Sequence, residues 1–259
     1  MDEKTGARPP LAVLVADDLE VNRRLALLLL RHLGCEADAA KGGREACEMA
    51  MRRAYDLILM DVQMPGVDGL EATRVLREHY GGGGPRIVAM TAGMMEGDHA
   101  RCRAAGMDDY LAKPLSPQDL RAVIERATAP AAAVRLDASP GAPVVPDPDG
   151  PILDWSRLEG LRPYDDDGSL VTGVISEFLR DAPVKVKAII AANAAGDAPR
   201  VATLAHGLRG MSANVGALAL VSICRSIESC AALHKSDPAL AQLAECVGST
   251  CTALAAGPG

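Results

Sequence analysis

The first half of the chain alternates short, uninterrupted apolar runs with stretches whose apolar residues recur every three to four positions. Leu11–Ala16 is followed by Asp17 and Asp18, Leu57–Met60 by Asp61, Ile87–Met90 by Thr91, and Tyr110–Ala112 by Lys113. These runs are too short for helices and do not alternate as half-exposed strands do, so they read as strands of a parallel sheet covered on both faces. Cys35–Ala39 fills the remaining strand by position. Between the strands the spacing predicts helices over Glu20–Leu33, Gly43–Arg53, Leu70–Glu78 and Pro117–Ala127. Ser116 stands as N-cap of the last, with Asp119 where a capping-box acid falls. The pattern predicts an α/β domain over residues 11–128, a doubly wound five-stranded parallel sheet behind a short N-terminal segment, 1–10.

Residues 129–151 break this pattern. Pro130, Pro140, Pro143, Pro146, Pro148 and Pro151 interrupt any regular element, and the stretch reads as a linker with a mean span of roughly 25–30 Å. From 152 to 259 the spacing is helical only. Asp154 caps a short helix carrying Trp155 and Leu158, and Leu170, Val174, Ile175, Phe178 and Leu179 mark a helix that resumes as Val184–Ala195 after Pro183. Val201–Val215, Ala217–Leu233 and Pro238–Ala255 follow. This half predicts an all-α antiparallel four-helix bundle.

Composition removes several classes of function. The 259 residues carry a net charge of -7, shared by both halves, without the basic excess that binding to a phosphate backbone needs, so no nucleic-acid partner is expected. No apolar run approaches the ~20 residues of a membrane helix, and no signal peptide opens the chain. Seven scattered cysteines, an odd number, fit reduced thiols in a cytoplasm. Cys230 and His234 can share a helix face, but without a full ligand set they read as packed helix residues. Aromatic residues make up only 2%, so both cores must be aliphatic.

In a doubly wound sheet, ligands bind beyond the carboxyl ends of the strands. There the sequence places Asp17, Asp18, Asp61, Thr91 and Lys113. Three carboxylates in one crevice repel unless a cation joins them, and a hard divalent ion such as Mg²⁺ suits a site that also handles phosphate. Thr91 and Lys113 offer a hydroxyl and a point charge to phosphoryl oxygens. An aspartate beside them can attack phosphorus to give an acyl phosphate.

Residues 11–127 resemble a response-regulator receiver domain, a flavodoxin-like fold. The segments that carry the likeness are Leu14-Val15-Ala16-Asp17-Asp18, Leu59-Met60-Asp61-Val62-Gln63-Met64-Pro65-Gly66-Val67-Asp68-Gly69, Met90-Thr91-Ala92 and Tyr110-Leu111-Ala112-Lys113-Pro114. The resemblance implies phosphorylation of Asp61, with Asp18, Asp61 and the Gln63 carbonyl as Mg²⁺ ligands and Asp17 acting through water. It also implies phosphoryl contacts from Thr91 and Lys113, a cis Lys113-Pro114 bond, and a switching aromatic at Tyr110.

In the second half His206 stands in Ala205-His206-Gly207-Leu208-Arg209-Gly210-Met211-Ser212. Two glycines inside a helix each cost about 1 kcal/mol against alanine and so need a reason. Gly210, four residues on, leaves the imidazole uncovered, and Arg209 can pair with a phosphoryl group. The segment resembles a histidine phosphotransfer (HPt) domain, which implies phosphorylation at Nε2 of His206; Arg209 stands where that family usually has lysine.

These readings together predict a two-component phosphorelay protein. A phosphoryl group would pass from a sensor histidine kinase to Asp61, to His206, and to a downstream response regulator receiver. The residues left over hold no ATP-binding module, so the chain reads as a phosphotransfer protein and not itself a kinase. It would be either a stand-alone relay protein or the C-terminal part of a hybrid kinase. An internal receiver–HPt contact is expected near Glu20–Leu33, whose Leu25, Leu27, Leu28, Leu29 and Leu30 cover more than one face. The alternatives are an uncoupled receiver switch or phosphate sink, a binding module regulated by phosphorylated Asp61, and a metal-dependent phosphatase.

Overall fold

The computed structural model describes residues 10–81, 83–91, 96–128, 152–165, 167–232 and 238–257. The linker 129–151, most of segment 1–10, Ala92 and His234 lie outside them. The chain divides into two units, residues 1–140 and 141–259.

The first unit runs β1 (Ala12–Ala16), α1 (Glu20–His32), β2 (Glu36–Ala40), α2 (Gly43–Arg52), β3 (Leu57–Asp61), α3 (Gly69–Tyr80), β4 (Arg86–Thr91), α4 (Glu96–Ala105), β5 (Asp109–Ala112) and α5 (Pro117–Thr128). All strand pairs are parallel, in the order β2-β1-β3-β4-β5. The predicted sheet is present, and the order reverses between β1 and β3, where such folds open a crevice. The register pairs Ala16 with Met60, Asp61 with Met90 and Thr91 with Ala112. The residues that follow or end these strands therefore emerge side by side along one edge of the sheet.

Alternation along the strands divides the core into two layers. Leu14, Ala16, Ile58, Met60, Ile87 and Ala89 pack with Ala46, Ala50 and Cys47 of α2, Leu70, Ala72 and Leu76 of α3, and Cys102 and Ala105 of α4. Val13, Val15, Leu57, Leu59, Val88 and Met90 point to the opposite face, and α1 packs on β1, β2 and α5. Within α1, Leu25, Leu29 and Leu30 are buried and Leu27 and Leu28 half-buried, so much of the leucine surplus is consumed by this aromatic-poor core. Ser116 accepts the Asp119 N–H at 3.1 Å and donates to its carboxylate at 2.6 Å, which completes the predicted cap of α5.

Helix α4 was not predicted. Its sequence, Glu-Gly-Asp-His-Ala-Arg-Cys-Arg-Ala-Ala, is mostly polar and small, and only Cys102 and Ala105 among its described side chains are buried. The tertiary demand for a crossover between β4 and β5 outweighs this weak pattern.

The second unit opens with a short helix, α6 (Ser156–Glu159), followed by four long ones: α7 (Ser169–Ala194), α8 (Ala198–Asn214), α9 (Leu218–Ala232) and α10 (Leu240–Ala256). Each long helix packs on its chain neighbours, and α10 closes the ring against α7. The tight α7–α8 and α8–α9 connections make neighbours antiparallel. The helical spacing on both sides of Pro183 belongs to one element, for α7 runs through the proline. Leu170, Val174 and Phe178 before the proline and Val186, Ile189 and Ala192 after it lie on one buried stripe, and packing of that stripe offsets the lost backbone hydrogen bond.

Gly69 ties the fold to the crevice. A Cβ at this position would lie 2.0 Å from the Asp61 carbonyl oxygen, so α3 starts against the backbone of β3 only because residue 69 has no side chain. Gly69→Ala is expected to cost about 1–3 kcal/mol through overpacking, seen as a lower denaturant midpoint of the first unit's transition.

Candidate functional site

Asp17 and Asp18 follow β1, and Asp61 ends β3. One carboxylate oxygen from each lies within 4.8 Å of the others, and Asp17 and Asp61 are buried while Asp18 is half-buried. Lys113, just beyond β5, places its ammonium 2.6 Å from Asp17 Oδ2 and 2.6 Å from Asp61 Oδ2. Burial opposes the lysine's charge, but the Asp61 and Asp17 carboxylates more than offset it and raise its pKa above the ordinary value. The Lys113–Pro114 bond is cis, as the resemblance implies.

Asp17 is held in place by protein donors. Its Oδ1 accepts from the Leu19 N–H at 2.9 Å, both oxygens accept from Asn22 Nδ2 at 3.0 Å, and Oδ2 accepts from Lys113. Asp61 Oδ1 accepts from the Gln63 N–H at 3.2 Å. Thr91 ends β4 half-buried, and its carbonyl accepts the Lys113 N–H at 2.7 Å. Tyr110 lies against α4, its hydroxyl donating to the His99 carbonyl at 3.0 Å and its ring 4.3 Å from the His99 ring.

Two further residues hold the acidic loop, and sequence reasoning missed both. Buried Asn22 fixes the Asp17 carboxylate, while Arg23 Nη1 donates to the Asp17 and Asp18 carbonyls at 2.8 and 2.9 Å. Their only signal is a polar pair one turn into an otherwise leucine-rich helix.

In the second unit His206 lies on α8 with its side chain 18% exposed. Arg209, which the sequence reading gives as a residue able to pair with a phosphoryl group, meets a protein carboxylate. Its side chain is only 9% exposed and forks onto Glu228 of α9, with Nε–Oε1 at 2.5 Å and Nη2–Oε2 at 3.0 Å. The same Nη2 lies 3.0 Å from His206 Nδ1, and Glu228 Oε2 lies 3.6 Å from that nitrogen. A guanidinium can only donate and a carboxylate only accept, so the two neighbours favour opposite tautomers of the ring. Burial pushes the Glu228 carboxyl up, but hydrogen bonds from His206 and Arg209 and the Arg209 charge outweigh it and hold its pKa below the ordinary value. Glu228 was missed because nothing near it in sequence marks it. Its signal is a lone acid on an apolar helix.

Gly210 is half-buried on α8. Cys230 is half-buried on α9, and Asp17, Asp18 and Asp61 are the one acidic or thiol cluster with metal-ligand spacing among the described residues.

The family model for the response regulator receiver domain matches residues 13–125, and that for the Hpt domain matches residues 173–257. The sensor protein GacS of Pseudomonas syringae pv. syringae is 33% identical over 234 residues, 85% of this chain and 25% of GacS. Hybrid signal transduction histidine kinase G of Dictyostelium discoideum is 43% identical over 129 residues, 49% of this chain and 4% of the kinase. The chain thus spans a quarter or less of these two relatives. Among solved structures, the receiver domain of sensor histidine kinase PA1611 from Pseudomonas aeruginosa is 38% identical, covering 45% of this chain and 96% of that one with a TM-score of 0.43. The chain belongs to the two-component signalling families, carrying a response regulator receiver domain followed by an Hpt domain.

Proposed function

We propose that this chain is a phosphorelay station pair. Residues 11–128 receive a phosphoryl group from a sensor histidine kinase, the linker 129–151 tethers them to residues 152–259, and those pass the group to a downstream response regulator receiver. The observation that carries this reading is the buried Lys113 ammonium between Asp17 and Asp61, in a chain that also holds a part-exposed His206 braced by Arg209 and Glu228. The likeness to segments of sensor proteins supports the same reading. Free cysteines, and the absence among the described residues of a helix long and apolar enough to cross a membrane, support a cytoplasmic setting.

In the first step an Asp61 carboxylate oxygen attacks the phosphorus carried by the kinase histidine. The P–N bond breaks, its electron pair returns to the donor ring, and an acyl phosphate forms. Lys113 stays protonated and, with the Thr91 hydroxyl, binds the phosphoryl oxygens. The three clustered carboxylates fit Mg²⁺, with Asp18, Asp61 and the Gln63 carbonyl as ligands and Asp17 acting through water. When bound, Mg²⁺ would neutralise charge on the phosphoryl oxygens. Tyr110 would exchange its hydrogen bond to the His99 carbonyl for another position once Asp61 is modified.

In the second step Nε2 of His206 attacks the phosphorus, the bond to the Asp61 oxygen breaks, and the carboxylate is restored. For Nε2 to offer its lone pair, Nδ1 must hold the proton, and Glu228 is the acceptor beside it. Gly210 leaves the approach to the ring clear. Tethering of the two units in one chain supplies effective concentrations near the millimolar range.

A labelled small-molecule acyl phosphate, which serves the aspartate and not the imidazole directly, is expected with a divalent cation to give base-labile label at Asp61 and base-stable label at His206. Asp61→Ala should lose both and His206→Ala only the second; onward transfer surviving in the His206 variant would refute the relay. Mg²⁺ at about 100 times its Kd should stabilise the first unit by about 2.7 kcal/mol. Asp18→Asn should lose this response in a thermal melt while raising metal-free stability, because one repelling charge is gone. Glu228 contributes stability that is present above the ordinary carboxylate pKa and lost as pH falls through its lower folded value. Glu228→Gln should therefore weaken the second unit at pH 7 by about 1–3 kcal/mol and flatten its acid limb, read from denaturant midpoints across pH.

A further inference from the structure

Arg209 is committed to Glu228, so the surface around His206 needs another source of positive charge if it is to take up a phosphoryl group. At 100° per residue, Gly210 lies on the α8 cylinder between His206 on one flank and Gly207 on the other. Glu228 reaches His206 from α9. From α7, Lys185 reaches the opposite flank, and its Nζ lies 2.9 Å from where a Cβ on Gly207 would be. The ammonium thus occupies space that any other residue at 207 would fill. Lys185 is half-buried, and it forms no ion pair with a carboxylate among the described residues. Asp181, one turn earlier, feels its charge, but both Asp181 oxygens are taken by Arg180 at 2.7 and 2.9 Å. Gly207 therefore has a use that Gly210 does not explain.

We propose that Lys185, seated over Gly207, is the cation that binds the phosphoryl oxygens as the group moves to or from Nε2 of His206. This rests on the reading of His206 as the phosphorylated residue. The P–Nε2 bond forms as the bond to the donor breaks, while Lys185 remains protonated throughout and gives hydrogen bonds to oxygens that stay on phosphorus. Arg209 acts through the ring as a positioning residue.

The test uses phosphoramidate, which phosphorylates imidazoles directly, on the full chain carrying Asp61→Ala, with His206→Ala as the blank for the other histidines. Base-stable label at His206 is followed over time. Lys185→Met is expected to slow labelling roughly tenfold, the scale of losing one charged donor to a reacting group, and Lys185→Arg to restore most of the rate. Gly207→Ala supplies a second route to the same point. Alanine suits a helix interior better than glycine and only the flexible end of Lys185 must move, so this variant should be at least as stable as the parent yet label as slowly as Lys185→Met. The double variant should be no slower than either. Unchanged labelling in Lys185→Met, or a normal rate in Gly207→Ala, overturns the proposal. Failure of label to pass from Asp61 to His206 in the unmodified chain would sink the relay instead, and leaves this rate comparison to decide Lys185 by itself.

Discussion

One buried ammonium organises the first unit. Lys113 comes from beyond β5, at the edge of the sheet, yet its charge lies between carboxylates that belong to β1 and β3. Removing an ion from water costs several kcal/mol, and each carboxylate near 4 Å returns about 4 kcal/mol at an effective dielectric of about 20. Two such partners make the burial of one cation tolerable where one would leave it near balance. The remaining polarity is settled locally: Asn22 and the Leu19 N–H hold Asp17, Arg23 holds the carbonyls of the acidic loop, and Gly69 lets α3 begin against Asp61. The order of the sheet, the start of α3 and the first turn of α1 all meet at this charge cluster.

The second unit handles charge in the opposite way. Its cation, Arg209, is matched one-to-one by Glu228 in a forked pair, so it contributes orientation to the His206 ring and little net field. A lysine at that place could not grip both carboxylate oxygens and still reach Nδ1, because it has one nitrogen where arginine has a planar fork. The departure from the family's usual lysine is thus coupled to Glu228 on the facing helix.

Much of this was legible in the sequence, and the limits are physical. The strand ends could be read because continuous apolar runs terminated by Asp17, Asp61, Thr91 and Lys113 leave no other periodicity to consider. Parallel register then brings those ends together without further information. Helix α4 was illegible because it buries few side chains, whereas α7 stayed legible across Pro183 because its apolar spacing continues on both sides. The Glu228 partner of Arg209 was illegible for a related reason. Helix geometry puts residues 206 and 209 on neighbouring positions, but which way a long side chain turns depends on what another helix presents, and Glu228 lies 19 residues further along the chain. Contacts set within one element are written locally; contacts between elements are not.

In the proposed relay the two sites would also differ in what phosphorylation asks of them. Modifying Asp61 replaces a carboxylate by a group of greater negative charge in a crevice that already holds Asp17 and Asp18, so the modified state depends on a cation that solution must supply. Modifying His206 places that charge beside an arginine already neutralised by its partner, so whatever holds it must come from fixed residues around the two glycines. In the proposed relay the first station would need a mobile cation and the second would not, so divalent ions would act at one end only. The split follows from how many carboxylates each unit pairs with its cation: two at Lys113, beside a third in the same cluster, and one at Arg209.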